Sequence, residues 1–294
     1  GEVLEPGRSD EDEEAGHLGV DAEPVAINLS PSYTLSDPVT YSAFNYVITY
    51  LPEWQLYADT TPGGAPLGTL PFAEYGKPLL HITAKGEAPS RMPVLSPAIA
   101  TQRLHTSANL LADGTVTGNS RTDAAGPYAT ALRGVARTIE AQGAQRFAAA
   151  HLRSLGQIGH GQVTLSENDP IGPDEHIDAD FTLDAQPEWL DGGAFLLPTG
   201  LRLLARTGDQ LIGMVQQRGV PVTEPTPCYA GRQDEELSLT LPSDMRPMRL
   251  PKDVTLDGGF FRYESRWQFA EHTITARRSL VSTFDQPLCN SLQR

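Results

Sequence analysis

Tyr46 and Asp59 are the two side chains of this sequence whose types and spacing most suggest chemistry. Two runs rich in β-branched and aromatic residues, 46–51 and 55–59, flank a short Pro-Glu-Trp break at 52–54. This pattern predicts a tight antiparallel hairpin that folds back about the middle of the break and places Tyr46 almost opposite Asp59. Directly opposed side chains on paired strands lie about 4.5–5.5 Å apart at Cβ. A hydrogen bond between the phenol and the carboxylate is therefore expected.

The tyrosine limits the chemistry of this pair. A phenol with a pKa of about 10 is a poor general base at neutral pH, whereas an imidazole with a pKa near 6.5 accepts and returns a proton readily. Tyr46 is therefore expected to be inactive as a base. An ordinary half-buried pair of strands with an incidental aspartate is the alternative interpretation.

The same residues carry a resemblance to a known family. Asn45-Tyr46-Val47 and Tyr57-Ala58-Asp59-Thr60-Thr61 resemble the second half of a bacterial transglutaminase-like domain, which has a papain-like core. In that family Asn-His-Val supplies the catalytic histidine, Tyr-x-Asp-x-Thr supplies the aspartate that orients it, and an earlier helix supplies the cysteine. The resemblance implies that Asp59 holds the orienting position and that Tyr46 replaces the histidine. It also implies that the catalytic cysteine is missing, since no cysteine precedes this stretch.

The resemblance covers about residues 19–290 and is strongest at 44–72 and 196–236. Residues 19–29 resemble the turn and strand that follow the cysteine helix, and residues 67–78 resemble the exit from the core. The resemblance therefore implies an N-terminally truncated core followed by a β-rich domain of unknown function.

Composition divides the chain into three parts. Residues 1–18 are acidic and poor in apolar residues, so they are predicted to be a disordered lead. Residues 19–90 form the predicted remnant of the transglutaminase-like core, and the prolines and glycines at 85–100 mark a boundary. Residues 100–294 form the predicted second domain.

The second domain shows two kinds of periodicity. Apolar and polar residues alternate at 176–183 and 236–241, and an aromatic run at 261–269 turns into 273–283, which predicts the antiparallel strands of a β-sandwich. Apolar spacings of three and four predict a helical hairpin inserted at about 127–155. The predicted fold class is α+β, with a partial papain-like or transglutaminase-like core of antiparallel strands followed by an antiparallel β-sandwich.

The charge of the chain excludes one class of partner. The net charge of −15 repels phosphate backbones, so nucleic acid is not an expected partner, whereas a protein or peptide is. No apolar run is long enough to span a membrane. The sequence begins without an initiator methionine or a signal segment, so it is expected to start after something has been removed. The resemblance implies a periplasmic or other cell-envelope location.

The two cysteines are candidates for a disulfide. Cys228 and Cys289 both follow proline-containing loops, and a bond between them would close a loop of about sixty residues. Two independent buried thiols are the alternative. The seven histidines are scattered without the spacing of a metal site, so neither a metal nor another cofactor is expected.

Two functions of different classes follow from these observations. The first is a pseudoenzyme, a non-catalytic transglutaminase-like protein of the cell envelope that acts in binding or assembly, with Tyr46 and Asp59 as a vestigial pair. The second is a cysteine-dependent amide-bond hydrolase or acyltransferase whose cysteine lies in a segment missing from this chain. A carbohydrate-binding surface on the face of Trp267 and Tyr263 is a third alternative.

Overall fold

The structure, a computed structural model, describes most of the chain after the acidic lead. The described residues are 19–30, 34–36, 38–61, 63–86, 88–166, 172–185, 187–190, 195–204, 226–284 and 288–289. The predicted lead at 1–18 lies outside them. The described residues are mostly β-sheet with one pair of long helices, which makes the protein α+β or mostly β, and its two larger sheets follow one another along the chain.

The first sheet contains five short antiparallel strands in the order β3-β2-β1-β4-β5. Their bounds are β1 Glu23–Ile27, β2 Tyr46–Leu51, β3 Leu56–Ala58, β4 Pro78–His81 and β5 Ser90–Arg91, and a 3-10 turn at Tyr41–Ala43 precedes β2. One face of this sheet carries the apolar residues of β1, β2 and β4, and these side chains form a buried core.

The second sheet contains eight strands in the order β12-β13-β14-β11-β6-β7-β9-β8. Their bounds are β6 Thr101–Leu110, β7 Val116–Ala125, β8 Gly159–Leu165, β9 Asp174–Leu183, β11 Gly231–Thr240, β12 Val254–Asp257, β13 Phe261–Ala270 and β14 Thr273–Ser282. The β11–β6 pair is parallel and all the others are antiparallel. The strands predicted at 176–183, at 236–241 and in the 261–283 hairpin are all present.

The predicted helical hairpin is confirmed as α1, Pro127–Gln142, and α2, Ala144–Ser154. Proline suits the first position of α1 because its missing N–H would have no partner there. Gly143 ends α1 and begins α2 with a φ of 85°, a left-handed value that favours glycine. A third helix, α3, is the four-residue Pro187–Leu190.

The sheet-rich character predicted for the second domain is confirmed. Eight strands between 101 and 282 form one continuous hydrogen-bonded sheet, the short strand Thr226–Pro227 lies outside it, and α1 and α2 pack against the buried side of β7, β8 and β9. The other side carries the polar and charged residues of the alternating strands, which are exposed or half-buried. Alternation in a sequence indicates one buried face for each strand, but it does not indicate whether a helix or a second sheet covers that face.

The two sheets share part of one core. Ala100 and Ala230 of the second region belong to the same buried cluster as Val25, Ile48 and Leu79 of the first sheet. Arg133 of α1 adds a polar connection, because it donates a hydrogen bond to the Gly64 carbonyl at 2.8 Å. The first sheet is therefore closed by residues that come later in the chain.

Hydrogen exchange is expected to be faster in the first sheet than in the second. The strands of the first sheet are at most six residues long, whereas β6, β7, β9, β11, β13 and β14 each have ten. A strand with fewer ladder hydrogen bonds needs less free energy to open locally. Amide exchange at pH 7 measures this directly, and equal protection of residues 19–80 and 100–284 would contradict the expectation.

The last ladder pairs β10, Thr226–Pro227, with β15, Leu288–Cys289. Cys228, directly after β10, is disulfide-bonded. The sequence holds one other cysteine, Cys289, whose side chain lies outside the described residues. No helix among the described residues is long and apolar enough to cross a membrane.

Candidate functional site

The hairpin that carries Tyr46 and Asp59 is present, and its register differs from the predicted one. Leu51 pairs with Leu56 and Tyr50 pairs with Tyr57, so four residues form the turn instead of three. Gln55 closes the turn with a left-handed φ of 53°. Asp59 consequently lies just past the end of β3 and diagonal to Tyr46 instead of opposite it.

The Asp59 carboxylate accepts hydrogen bonds from two groups of the hairpin. The Tyr46 hydroxyl donates to Oδ1 at 3.1 Å and to Oδ2 at 3.2 Å, and the Thr61 backbone N–H donates to Oδ1 at 3.0 Å. Asp59 is only 5% exposed. Because a buried carboxylate is tolerated when its oxygens accept hydrogen bonds, these donors stabilise Asp59 in its position.

Glu74 completes the cluster, and the sequence interpretation did not include it. It is 1% exposed. The pKa of its carboxyl is raised to about 9, chiefly by burial and also by a hydrogen bond to Asp59 and by the charge of Asp59. Glu74 is therefore protonated at neutral pH. Its buried Oε2 accepts no hydrogen bond, which costs less for a neutral carboxyl than for a charged one.

The pKa of Tyr46 is also raised above its ordinary value. Burial is the largest cause, and the negative charge of Asp59 adds to it, while a hydrogen bond with Thr61 acts in the opposite direction. Tyr46 therefore keeps its proton at physiological pH and acts as a donor to Asp59. The cluster of Tyr46, Asp59 and Glu74 thus consists of one carboxylate and two groups that hold their protons.

The chemistry available to this cluster is limited. Removing a proton from a thiol or a water needs a base whose pKa lies near the operating pH and which a substrate can reach. Tyr46 and Glu74 retain their protons, and Asp59 is buried and already hydrogen-bonded. The arrangement favours holding the hairpin and the 71–77 turn together over turnover of a substrate.

Lys77 is a second buried charged group in the same turn. It is 1% exposed, and its Nζ donates a hydrogen bond to the carbonyl of Ser30. Burial lowers the pKa of its ammonium to about 8. Glu74 and Lys77 therefore both have altered proton affinities within four residues of the chain.

A second chain of polar groups lies on the core face of the first sheet. Nδ1 of His81 is 3.2 Å from Oε2 of Glu23, and Nε2 is 3.3 Å from the Tyr57 hydroxyl. The Glu23 carboxyl and the Tyr57 hydroxyl thus hydrogen-bond the two ring nitrogens of His81. The ring of Tyr50 packs on both aromatic partners, at 4.7 Å from Tyr57 and 4.8 Å from His81. This packing fixes Tyr57 and leaves it little freedom to approach a substrate.

The sequence gives little indication of Glu74 or His81, because the surroundings of both side chains depend on tertiary packing. The hydrogen bond of His81 joins residues 58 positions apart in the chain. Glu74 lies in a turn, where an acidic residue is ordinarily exposed. A charged residue within the apolar-rich stretch 70–80 is the only hint that the sequence offers.

The remaining predicted residues are placed elsewhere. Trp267 is partly buried against the main core, and its indole N–H donates to Ser265 at 2.9 Å, so it does not present a flat platform with Tyr263 for a sugar. The described residues include no free cysteine and no group of three or more potential metal ligands. Two large cavities, of about 800 and 710 Å³, are lined by residues outside the Tyr46, Asp59 and Glu74 cluster.

Comparisons with known proteins add no identification. No protein-family model matches the chain, and neither the curated proteins nor the solved structures searched contain a match.

Proposed function

We propose that this chain is a non-catalytic, transglutaminase-like protein of the cell envelope that acts in binding or assembly. In this proposal residues 19–90 are the remnant of a papain-like core, and 100–294 are the β-rich domain that follows such a core. The resemblance of 44–61 to the family's histidine and aspartate strands supports the assignment to this family.

The observation that carries the proposal is the hydrogen bond from Tyr46 to both oxygens of Asp59. In the family that this stretch resembles, a histidine at the position of Tyr46 would use the aspartate for orientation and would itself take a proton. Tyr46 instead donates its own proton, and its raised pKa opposes the loss of that proton. Loss of the histidine of such a triad costs several orders of magnitude in rate.

Activity of the purified chain tests the proposal. Wild type, Tyr46→His and Asp59→Ala are incubated with a broad peptide set, and with a glutamine-containing protein plus a fluorescent primary amine. We expect no turnover above the protein-free control from any of the three, because Tyr46→His restores a base without supplying a nucleophile.

The opposite result would have a clear signature. Turnover that requires a reduced thiol, is blocked by iodoacetamide and is lost in Asp59→Ala would show that the chain is a cysteine-dependent hydrolase or acyltransferase. The exposed Tyr41→Phe is the matched control for a tyrosine change, since Tyr41 is 89% exposed.

A further inference from the structure

An apolar groove lies beside β13 and β14 of the second sheet, and α3 contributes Trp189 to its lining. Its volume is about 710 Å³, within the range of ligand sites. Segment 195–199 forms one wall and loop 245–252 forms the other, while Leu241, Ile274 and Trp267 form the floor. The groove thus gives access to the edge of the main hydrophobic core.

The walls of the groove expose large apolar side chains. Leu196 is 84% exposed and Met248 is 94% exposed. Trp189 stacks on Phe195 with ring centroids 4.6 Å apart, which gives the first wall a rigid aromatic base. Methionine is flexible and polarisable, so Met248 and Met245 can adapt to different apolar partners. Contiguous apolar exposure of this kind marks interaction sites more often than isolated exposed residues do.

The second wall is cationic. Arg246, Arg249 and Lys252 are exposed, and within the described part of the chain none of them forms an ion pair or a hydrogen bond. Among the residues that the structure describes, no acidic one lines the groove, although the whole chain carries a net charge of −15. Arg278, the fourth cation of the lining, is already bound to Glu235 at 3.0 Å and lies over the Trp267 ring at 5.3 Å.

The spacing of the free cations indicates the shape of their partner. They recur every third residue of a loop with irregular backbone that contains Pro247 and Pro251. Each of the three cations can therefore pair with a separate acidic group of a partner. A partner with several acids along its length, and apolar side chains between them, matches both the charges and the groove.

We propose that this groove binds an extended peptide segment in which acidic residues alternate with large apolar ones. The apolar side chains occupy the space between Met248 and Phe195, and the acids lie along Arg246, Arg249 and Lys252. The site goes beyond the proposed function, because it shares no residue with the Tyr46 cluster and does not depend on whether that cluster is catalytic.

Fluorescence anisotropy with a labelled peptide tests the inference. The probe is a twelve-residue peptide of three Glu-Phe-Asp-Leu repeats, titrated with the full chain at 50 and 300 mM NaCl. We expect micromolar affinity at low salt that weakens several-fold at high salt, since exposed charges are screened. Replacing Phe and Leu by Ser, or both acids by Lys, is expected to weaken binding at least tenfold.

Variants of the protein locate the site. Arg246→Glu with Arg249→Glu, and separately Met248→Asp, are each expected to weaken binding at least tenfold, and both change exposed residues that the fold does not need. Arg146→Glu with Arg153→Glu on α2 makes the same charge change at exposed residues that do not line the groove, and it is expected to stay within about threefold of wild type.

Three results would overturn the inference. They are no binding of the acidic peptide at 200 µM, equal weakening by the groove and α2 double variants, and binding of phosphatidylglycerol vesicles without binding of the peptide. The last would show that the cationic wall recognises an anionic membrane surface. None of these results depends on the activity assay, so each proposal can fail without the other.

Discussion

Replacement of Arg133 by alanine is expected to lower the free energy of unfolding by about 3–5 kcal/mol. Arg133 is 5% exposed. Its Nε donates to Glu175 at 3.2 Å, and its other nitrogens donate to the carbonyls of Gly64 at 2.8 Å, Gly172 at 2.7 Å and Asp174 at 3.0 Å. Alanine would leave the Glu175 charge without its cation and three carbonyls without a donor, and this is why the expected loss is large.

Arg137→Ala is the matched control for this change. Arg137 lies one turn further along α1, is exposed, and donates to the Gly63 carbonyl at 3.3 Å. Because water can hydrogen-bond the Gly63 carbonyl in place of an exposed guanidinium, we expect the free energy of unfolding to fall by less than about 1 kcal/mol. Urea unfolding measures the stability of both variants. Equal losses of unfolding free energy would show that the buried hydrogen bonds of Arg133 stabilise the fold no more than the exposed one of Arg137.

The second large effect concerns pH. The carboxyl of Glu74 has a pKa of about 9 in the folded protein against an ordinary value of 4.5. The contribution of this group to stability is complete below pH 4.5, the pKa expected in the unfolded chain, and is lost as the pH rises towards 9. The reason is that the unfolded state releases the proton at a lower pH than the folded state does. Through this group the free energy of unfolding is expected to fall by about 1.4 kcal/mol per pH unit, which is roughly 4 kcal/mol between pH 5 and pH 8.

Glu74→Gln is expected to remove this slope, since glutamine is neutral in both states and keeps a donor for Asp59. The free energy of unfolding of the variant is expected to match that of wild type near pH 5 and to exceed it by several kcal/mol near pH 8.

The comparison ends at pH 8 because of Lys77. Above that pH its lowered pKa acts with the opposite sign, since the unfolded state then binds more protons than the folded state. Glu140→Gln, at an exposed site of α1, is the control, and parallel curves for wild type and Glu74→Gln would refute the protonation of Glu74.

Periodicity predicted the local elements because each depends on neighbouring residues. The spacing of apolar residues, Pro127 and Gly143 together indicated the helical hairpin, and alternation indicated β9, β11, β13 and β14. The pairing order was not predictable in the same way. The parallel contact between β6 and β11 joins segments about 130 residues apart in the chain, and nothing within either strand specifies its partner.

The candidate site shows the same division between local and distant information. The hairpin motif identified Tyr46 and Asp59 as candidates, and the structure places their side chains within hydrogen-bond distance. Glu74 was missed because its burial depends on the packing of the 71–77 turn against that hairpin. Arg133 was missed because its partners come from the 60s loop and from the start of β9. Such residues become recognisable once chain segments distant in sequence are placed side by side.

The protonation of Glu74 is the most direct test of the claim that the Tyr46, Asp59 and Glu74 cluster contains no base that a substrate can use. Carbon-13 NMR of carboxyl-labelled glutamate, assigned by the signal that disappears in Glu74→Gln, follows this group from pH 4 to pH 10. We expect a neutral carboxyl at pH 7 that titrates near pH 9. A Glu74 signal that titrates near pH 4.5 would place a second carboxylate beside Asp59 at neutral pH and would contradict this expectation.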